Sequence, residues 1–239
     1  MEFELTEEQR LLQQTVRDFS HRVIALGAKE RDIKSKFPRD VIKEMAGMGI
    51  MGMIIPEEYD GAGLDYISYT IVLEEIARVD GGVALSVSAH NSLCTNHIYS
   101  FGTEEQRKRF VIPLARGEKL GAWGLTEAGS GSDAASLQTT AVLNGNKWVL
   151  NGEKVLITHG SVADTYVIMA STDRKKGKKG ISAFIVERGT LGFKVGKVED
   201  KLGMRGSDTA SLIFEECILP EESLLGKVNE GFIDALKIL

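Results

Sequence analysis

The residue pattern changes once along the chain, near Gly117, and this change constrains the fold more than any other feature. Before Gly117, apolar residues recur at helical spacings, as in Leu12, Val16, Phe19 and Val23, which lie 4, 3 and 4 residues apart. After Gly117, short stretches rich in β-branched residues are separated by turn-forming residues, and no helical pattern lies between them. The sequence therefore predicts a multidomain α and β chain, with an all-helical N-terminal domain followed by an antiparallel β-barrel or sandwich.

Polar side chains mark where several of the helices begin. Thr6 and Gln9 form the pattern of a capping box, in which each side chain satisfies a free backbone N–H group of the other. Thr103 and Gln106 repeat this pattern near the end of the helical half. Asp65 is a residue type that caps helices, and it precedes a further helical stretch. Each of these positions is predicted to start a helix.

The second half contains eight stretches that read as strands. Asn144-Gly145 and Asn151-Gly152 are dipeptides typical of hairpin turns, because both residue types tolerate a positive φ. The predicted strands are 120–126, 139–143, 147–150, 154–158, 165–171, 181–187, 193–198 and 211–217.

Residues 230–239 return to a helical spacing, and this pattern is still running at Leu239. We therefore expect the chain to be a piece of a longer protein that ends within the first helix of a further domain. The predicted domains are 1–118 (helical), 119–226 (β) and 227–239 (the start of a C-terminal helical bundle).

Charge and composition exclude several classes of partner. The chain has 29 Lys and Arg residues against 34 Asp and Glu residues, a net charge of −5, which argues against a nucleic-acid or anionic-membrane binder. Cys94 and Cys217 are too few for a metal cluster or a disulfide framework, and the four histidines lack metal-ligand spacing.

The acidic start has no targeting pattern, and no apolar run approaches the ~20 residues of a membrane span. A soluble protein of the bacterial cytoplasm, or of the mitochondrial matrix if eukaryotic, is expected.

Three polar stretches are candidate sites. In 121–133 a predicted strand runs into a loop of small and hydroxyl residues, which can hold a phosphate or the polar edge of a flat heterocycle. The alternative is a flexible loop whose Ser and Asp residues cap their own turn. The stretch 151–160 reads as a hairpin with a polar tip, or simply as a surface hairpin. In the third stretch, 201–209, Arg205 and Asp208 are predicted to form a structural ion pair.

Together these stretches resemble the acyl-CoA dehydrogenase family. The resemblance covers essentially the whole chain, and it includes the segments PEEYDGAG at 56–63 and TEEQ at 103–106. The segment LTEAGSGSD at 125–133 matches the flavin-loop signature of the family position by position.

The resemblance implies that FAD binds between the β domain and a C-terminal helical bundle, with an acyl-CoA against the other face of the flavin. Ser132 would also reach the CoA chain, and Lys178 or Lys179 would approach its phosphate or ribose, although a solvated charge run is the commoner explanation for these two lysines. Many relatives have an aromatic residue, often Trp, where this chain has Leu156. The residues implied to contact the flavin are Trp123, Leu125, Thr126, Gly131, Ser132, Leu156, Ile157 and Thr158.

The reaction implied by the resemblance is α,β-dehydrogenation of a short-chain or branched short-chain acyl-CoA. A carboxylate base removes the α-proton, the β-hydrogen passes to the flavin, and the electrons leave through an electron-transfer flavoprotein. The base in this family is typically a Glu of the C-terminal bundle, so no catalytic residue is assigned here, and Glu127 is expected to be structural. The full enzymes are usually homotetramers. Two alternatives stay open: a non-catalytic flavin- or CoA-binding module, and a related flavin oxidase.

Overall fold

A computed structural model of the chain describes residues 4–239, so positions 1–3 of the predicted helical domain and of the acidic start lie outside the described residues. A helical region is followed by one β-sheet and then by a final helix. This order confirms the predicted fold class. The positions of the domain boundaries stay a prediction.

Within residues 4–239, the helical half contains three rods in which α-helical and π-helical turns follow one another, at 7–24, 81–101 and 104–115. The π-helical turns Ser20–Ile24, Ala89–Thr95 and Arg107–Val111 extend α1, join α5 to α6, and join α7 to α8. The rod formed by α5, its π-helical turn and α6 packs directly against the first strand of the sheet. The helices are α1 (Glu7–Phe19), α2 (Ala28–Lys34), α3 (Arg39–Gly47), α4 (Tyr66–Ala77), α5 (Gly81–Ser88), α6 (Asn96–Phe101), α7 (Glu104–Gln106) and α8 (Ile112–Ala115).

The predicted helix starts are confirmed. The Thr6 hydroxyl accepts a hydrogen bond from the Gln9 backbone N–H at 3.1 Å, and the Gln9 side chain accepts one from the Thr6 N–H. Thr103 and Gln106 make the same reciprocal pair. The Asp65 carboxylate accepts from a backbone N–H in the first turn of α4 at 2.7 Å. Each cap satisfies N–H groups that the helix itself leaves unpaired.

The described β residues form one open, mixed, eight-stranded sheet. Its order is β6-β7-β3-β2-β4-β5-β8, and β1 pairs with β4 outside this path. Most pairings are antiparallel as predicted, whereas β1 runs parallel to β4 and a short β2–β4 contact is also parallel. The strands are β1 (Gly121–Gly124), β2 (Thr140–Asn144), β3 (Lys147–Thr158), β4 (Thr165–Ser171), β5 (Ile181–Glu187), β6 (Phe193–Val198), β7 (Thr209–Pro220) and β8 (Leu224–Leu225).

One of the two predicted hairpin turns is wrong. Gly145, at φ +63°, lies in the turn between β2 and β3, as expected. Asn151-Gly152 instead lies inside β3, which is a single long strand with a bulge between Leu150 and Gly152. A Cβ atom on Gly152 would lie 2.5 Å from the Thr139 hydroxyl oxygen, so this glycine is required by a close backbone approach and not by a turn.

The predicted Arg205–Asp208 ion pair is also wrong. The Arg205 guanidinium lies 3.5 Å from the Asp32 carboxylate, and the Arg205 backbone N–H donates to the same carboxylate at 2.9 Å. Asp208 accepts hydrogen bonds from the backbone N–H and the hydroxyl of Ser161. The 201–209 loop is therefore fixed to α2 through Arg205, at its middle, and to the segment that follows β3 through Asp208.

A final helix, α9 (Gly231–Ile238), begins after β8 and agrees with the helical spacing predicted for 230–239. It packs against α6 and β5. Among residues 4–239, no helix has the length and the apolar composition that crossing a membrane requires. The same residues contain no cluster of His, Cys, Asp and Glu that could bind a metal ion.

We predict that Gly152→Ala lowers the free energy of unfolding by roughly 2–4 kcal/mol, because the new methyl group overlaps Thr139 and the residue has φ +146°. Gly145→Ala is the matched control. Gly145 also has a positive φ, but a Cβ atom there meets nothing within 4 Å, so a loss of about 1 kcal/mol is expected. Urea unfolding followed by circular dichroism measures both changes. Equal losses would show that only backbone conformation matters at Gly152.

Candidate functional site

The 125–139 loop leaves β1 and crosses the surface beside the end of β3. Its first turn is closed by two hydrogen bonds of 3.0 Å between the backbones of Glu127 and Ser130. The Ser130 hydroxyl donates to the Asp133 carbonyl at 2.8 Å, so this serine caps its own turn, as one of the two sequence interpretations expected. Gly131 and Ser132 follow on the exposed face of the loop.

Leu125 and Thr126, the first residues of this loop, are half-buried beside the end of β3. The Val155 backbone N–H donates to the Thr126 carbonyl at 2.9 Å, which brings the loop and the predicted hairpin stretch together. Among residues 4–239, the hydroxyls of Thr126, Ser132 and Thr158 have no hydrogen-bond partner, and none of the three residues is buried. They are available to a ligand.

A second bulge, between Lys154 and Ile157, arranges the end of β3. Leu156 lies in this bulge at φ +59° with 61% of its surface exposed. A positive φ costs a non-glycine residue roughly 1–2 kcal/mol, and such strain is concentrated at functional sites. The Ile157 side chain points into the core and is 3% exposed, so only its backbone is near the surface, whereas Thr158 is half-buried at the rim.

A buried ion pair lies beneath this surface. The Lys154 ammonium group donates to the Glu127 carboxylate at 2.6 Å and to the Leu125 carbonyl at 3.0 Å. Burial lowers the pKa of Lys154 to about 8, although the charge of Glu127 opposes this effect. Burial also raises the pKa of Glu127, but the charge of Lys154 and several hydrogen bonds outweigh it, and the net direction is downward.

Three buried histidines hold β1 in place. The Trp123 indole donates to His97 at 2.9 Å, and the Gly121 backbone N–H donates to His90 at 3.0 Å. The Gly121 carbonyl lies 3.0 Å from a ring nitrogen of His159. The sequence indicated that these histidines are core or surface residues and not metal ligands, without saying which of the two. His90 and His97 are seven residues apart, which is two helical turns. This spacing predicts that both lie on the same face of the helix, and in the structure that face packs against β1.

Lys178 and Lys179 belong to a different segment of the chain from the predicted flavin-facing residues. Both are exposed on the short helical segment Arg174–Gly180. The Arg174 guanidinium donates to the Gln138 carbonyl at 2.7 Å, so the segment packs beside the far end of the 125–139 loop. A groove of about 380 Å³ runs between the loop and the segment. A separate cavity of about 520 Å³, next to α7 and β8, is lined by none of the predicted site residues.

Comparisons with known proteins agree with this architecture. The family model described as "Acyl-CoA dehydrogenase, N-terminal domain" matches residues 6–118, and that described as "Acyl-CoA dehydrogenase, middle domain" matches residues 122–217. The short-chain specific acyl-CoA dehydrogenase of Clostridium acetobutylicum is 50% identical over 239 residues, which are 100% of this chain and 63% of that protein.

Solved structures give the same result. A chain from the structure of the electron transferring flavoprotein of Acidaminococcus fermentans is 48% identical with a TM-score of 0.97, and butyryl-CoA dehydrogenase from Megasphaera elsdenii is 43% identical with a TM-score of 0.95. Both matches cover 100% of this chain and 63% of the other. A glutaryl-CoA dehydrogenase from Mycobacterium smegmatis, in complex with FADH2, is 32% identical with a TM-score of 0.92, covering 98% of this chain and 59% of that one. The chain thus spans about three fifths of the length of these proteins.

The buried histidines predict a pH dependence of stability. Burial lowers the pKa of His90 and of His97 to about 4, and it also lowers that of His159. Unfolding restores the ordinary value of 6.5, so the unfolded chain binds more protons than the folded chain between pH 6.5 and 4. We expect the free energy of unfolding to fall as the pH is lowered through this window, by up to about 1.4 kcal/mol per pH unit for each histidine.

Urea unfolding at a series of pH values between 7 and 4 measures this slope. His97→Asn retains an acceptor for the Trp123 indole and is expected to reduce the slope. His21→Gln changes an exposed histidine and is the control. If His97→Asn leaves the slope unaltered, His97 does not contribute to the pH dependence of stability.

Proposed function

The chain belongs to the acyl-CoA dehydrogenase family, and on that premise we propose that it is the helical and β part of an FAD-dependent short-chain acyl-CoA dehydrogenase. One observation carries the proposal: the 125–139 loop and the end of β3 meet so that free hydroxyls and an exposed Leu156 share one surface. The relatives named as short-chain specific and butyryl-CoA dehydrogenases support the short substrate class. The complex of a relative with FADH2 supports the choice of cofactor.

The surface has the chemistry that a flavin requires. An isoalloxazine ring has apolar faces and a polar edge that both donates and accepts hydrogen bonds. Leu156 offers an apolar contact for a ring face, without the stacking that an aromatic side chain would add. The unpartnered hydroxyls of Thr126 and Thr158 offer donors for the polar edge. Trp123, Leu125, Gly131, Ser132 and the backbone of Ile157 complete the proposed cofactor contacts.

FAD, when bound, supplies the two-electron acceptor for the hydrogen that leaves the β-carbon of the acyl group. The loop's own contribution is electrostatic, because fixed N–H and O–H donors stabilise negative charge that develops at a cofactor edge. The two backbone hydrogen bonds between Glu127 and Ser130 stabilise the turn from which these donors project.

We assign no catalytic base to the described residues. Glu127, the carboxylate within the signature segment, is held by Lys154 and is 8% exposed, so it does not face the surface. We propose that the base belongs to the part of the relatives that this chain does not cover. Electron-transfer flavoprotein is the proposed electron acceptor, and a homotetramer in the bacterial cytoplasm or mitochondrial matrix is the proposed assembly and location.

The substrate contacts that we propose are Ser132 and the pair Lys178 and Lys179. Ser132 is exposed with a free hydroxyl, which suits the amide-rich pantetheine chain of CoA. The two lysines lie on the basic segment that packs beside the end of the same loop, where ammonium groups can pair with phosphate.

Flavin binding tests the cofactor assignment. We expect a protein of the relatives' full length that contains this chain, incubated with FAD and passed through a desalting column, to retain oxidised-flavin absorption bands in stoichiometric amount. Thr126→Val is expected to weaken FAD binding about tenfold, because one hydrogen bond to the cofactor is lost. Thr70→Val, the same change at an exposed helical position of α4, is the control.

Absence of retained flavin, even with excess FAD, would contradict the proposed function. A flavin oxidase, the alternative enzyme, is recognised by rapid reaction of the reduced protein with oxygen. Retained flavin together with CoA binding but no dehydrogenation, in a protein of the relatives' full length, would favour the non-catalytic module.

A matched pair of double variants tests the CoA contacts. We expect Lys178→Met with Lys179→Met to weaken CoA binding about tenfold in titration calorimetry at low salt, since charge-assisted contacts to phosphate are removed. Lys175→Met with Lys176→Met removes the same charge from the same segment and is expected to have a much smaller effect. If both double variants weaken CoA binding equally, CoA is attracted by the total positive charge of the segment and not by direct contacts with Lys178 and Lys179.

A further inference from the structure

Lys154 is a charged side chain with no exposed surface, and the proposed reaction gives it no role. Its side chain is 0% exposed, and that of its partner Glu127 is 8% exposed. Removing two charges from water costs several kcal/mol per ion, and a well-packed apolar pair often serves stability equally well. Stability alone therefore does not explain why this position holds a buried ion pair.

The contacts of the pair join three separate stretches of backbone. Lys154, in β3, donates to the carbonyl of Leu125 at the start of the 125–139 loop. Glu127 accepts from the backbone N–H groups of Gln138 and Thr139, at the end of the same loop. One ion pair thus ties the beginning of the loop, its end and the neighbouring strand together.

The same pair lies next to the residues proposed to contact the flavin. Leu125, whose carbonyl Lys154 holds, immediately precedes Thr126 along the chain, and Val155, which follows Lys154, donates to the Thr126 carbonyl at 2.9 Å. Leu156 comes next in β3. The positions of Thr126 and Leu156 relative to each other are therefore set through Lys154 and its neighbours.

We propose that Lys154 and Glu127 are positioning residues, a buried electrostatic clamp that holds the 125–139 loop and the end of β3 in the geometry that binds the flavin. The inference rests on the proposed function, because it takes these two segments to be the cofactor surface. Hydrogen bonds from charged groups depend on direction, so a charged clamp fixes the position of the loop more tightly than an apolar contact does. The ammonium group and the carboxylate each satisfy named backbone atoms, so a shifted loop leaves buried charges without partners.

The lowered pKa of Lys154 is consistent with this environment. Burial lowers it to about 8, and among the described residues Glu127 is the charged group that opposes the shift. Among the described residues, the hydrogen-bond partners of the ammonium group are the Glu127 carboxylate and the Leu125 carbonyl.

The test uses the double variant Lys154→Met with Glu127→Gln, which removes both charges while keeping side chains of similar length. The single variant Lys154→Met leaves a buried carboxylate unpaired and is expected to fold poorly, so the double variant is the decisive one. The matched control is Lys194→Met with Glu215→Gln. That ion pair joins a lysine and a glutamate of the strands β6 and β7 at 2.8 Å, against 2.6 Å in the clamp, but both of its side chains are about two thirds exposed.

Two measurements are made on each variant, prepared within a protein of the relatives' full length. Hydrogen exchange of the FAD-free chain reports the protection of the Gln138 and Thr139 amides, which Glu127 accepts from. Titration with FAD reports the dissociation constant and the visible spectrum of the bound flavin. We expect the double clamp variant to lose about tenfold in protection and about tenfold in FAD affinity, with a shifted flavin absorption band, while the control pair changes neither by more than about twofold.

The clamp is overturned if the double variant keeps either the amide protection or the FAD affinity within twofold of the unaltered chain. A purely structural pair would lower the urea midpoint but leave the flavin band and the native-state affinity unchanged. If the unaltered protein of the relatives' full length binds no FAD, the proposed function fails, and the exchange measurement alone decides whether the pair orders the loop.

Discussion

The position of one short strand, β1, determines the geometry of the whole candidate site. The backbone of Gly121 is held on both sides by buried His90 and His159, and a Cβ atom on Gly121 would lie 2.7 Å from the Cys94 sulfur. Glycine is therefore what lets the rod of α5 and α6 approach the strand so closely. Because the 125–139 loop begins directly after β1, the packing of a helix against one glycine decides where Thr126 lies.

The outline of the fold could be predicted from the sequence because local signals agree with the final structure. Capping boxes, helical spacing and strand-length apolar stretches depend on neighbours a few residues away, so they survive into the folded chain. Non-local features could not be predicted in this way. The parallel pairing of β1 with β4, the ion pair of Arg205 with Asp32 and the location of Asn151-Gly152 within β3 all depend on segments distant along the chain.

The candidate site shows the same division between local and distant information. From composition alone, the hydroxyls of the loop could either bind a ligand or make hydrogen bonds within the loop. The structure contains hydroxyls of both kinds. Ser130 caps its own turn, whereas Ser132 is free. Lys154 lay inside a stretch that was already of interest, yet nothing nearby in the sequence indicates burial of its ammonium group. Its partner Glu127 lies 27 positions away, and only folding brings the two together.

The bulge at the end of β3 allows one side chain to be buried while the side chain two positions later is exposed, which a regular strand does not allow. Residues two apart in a strand point to the same side, yet Lys154 is fully buried and Leu156 is largely exposed. The extra residue in the bulge reverses the alternation between them. Position 156 can consequently accept side chains of very different size and chemistry without repacking the interior. A substitution at position 156 therefore changes the outward-facing surface, while insertion or deletion of a single residue there would exchange inside for outside.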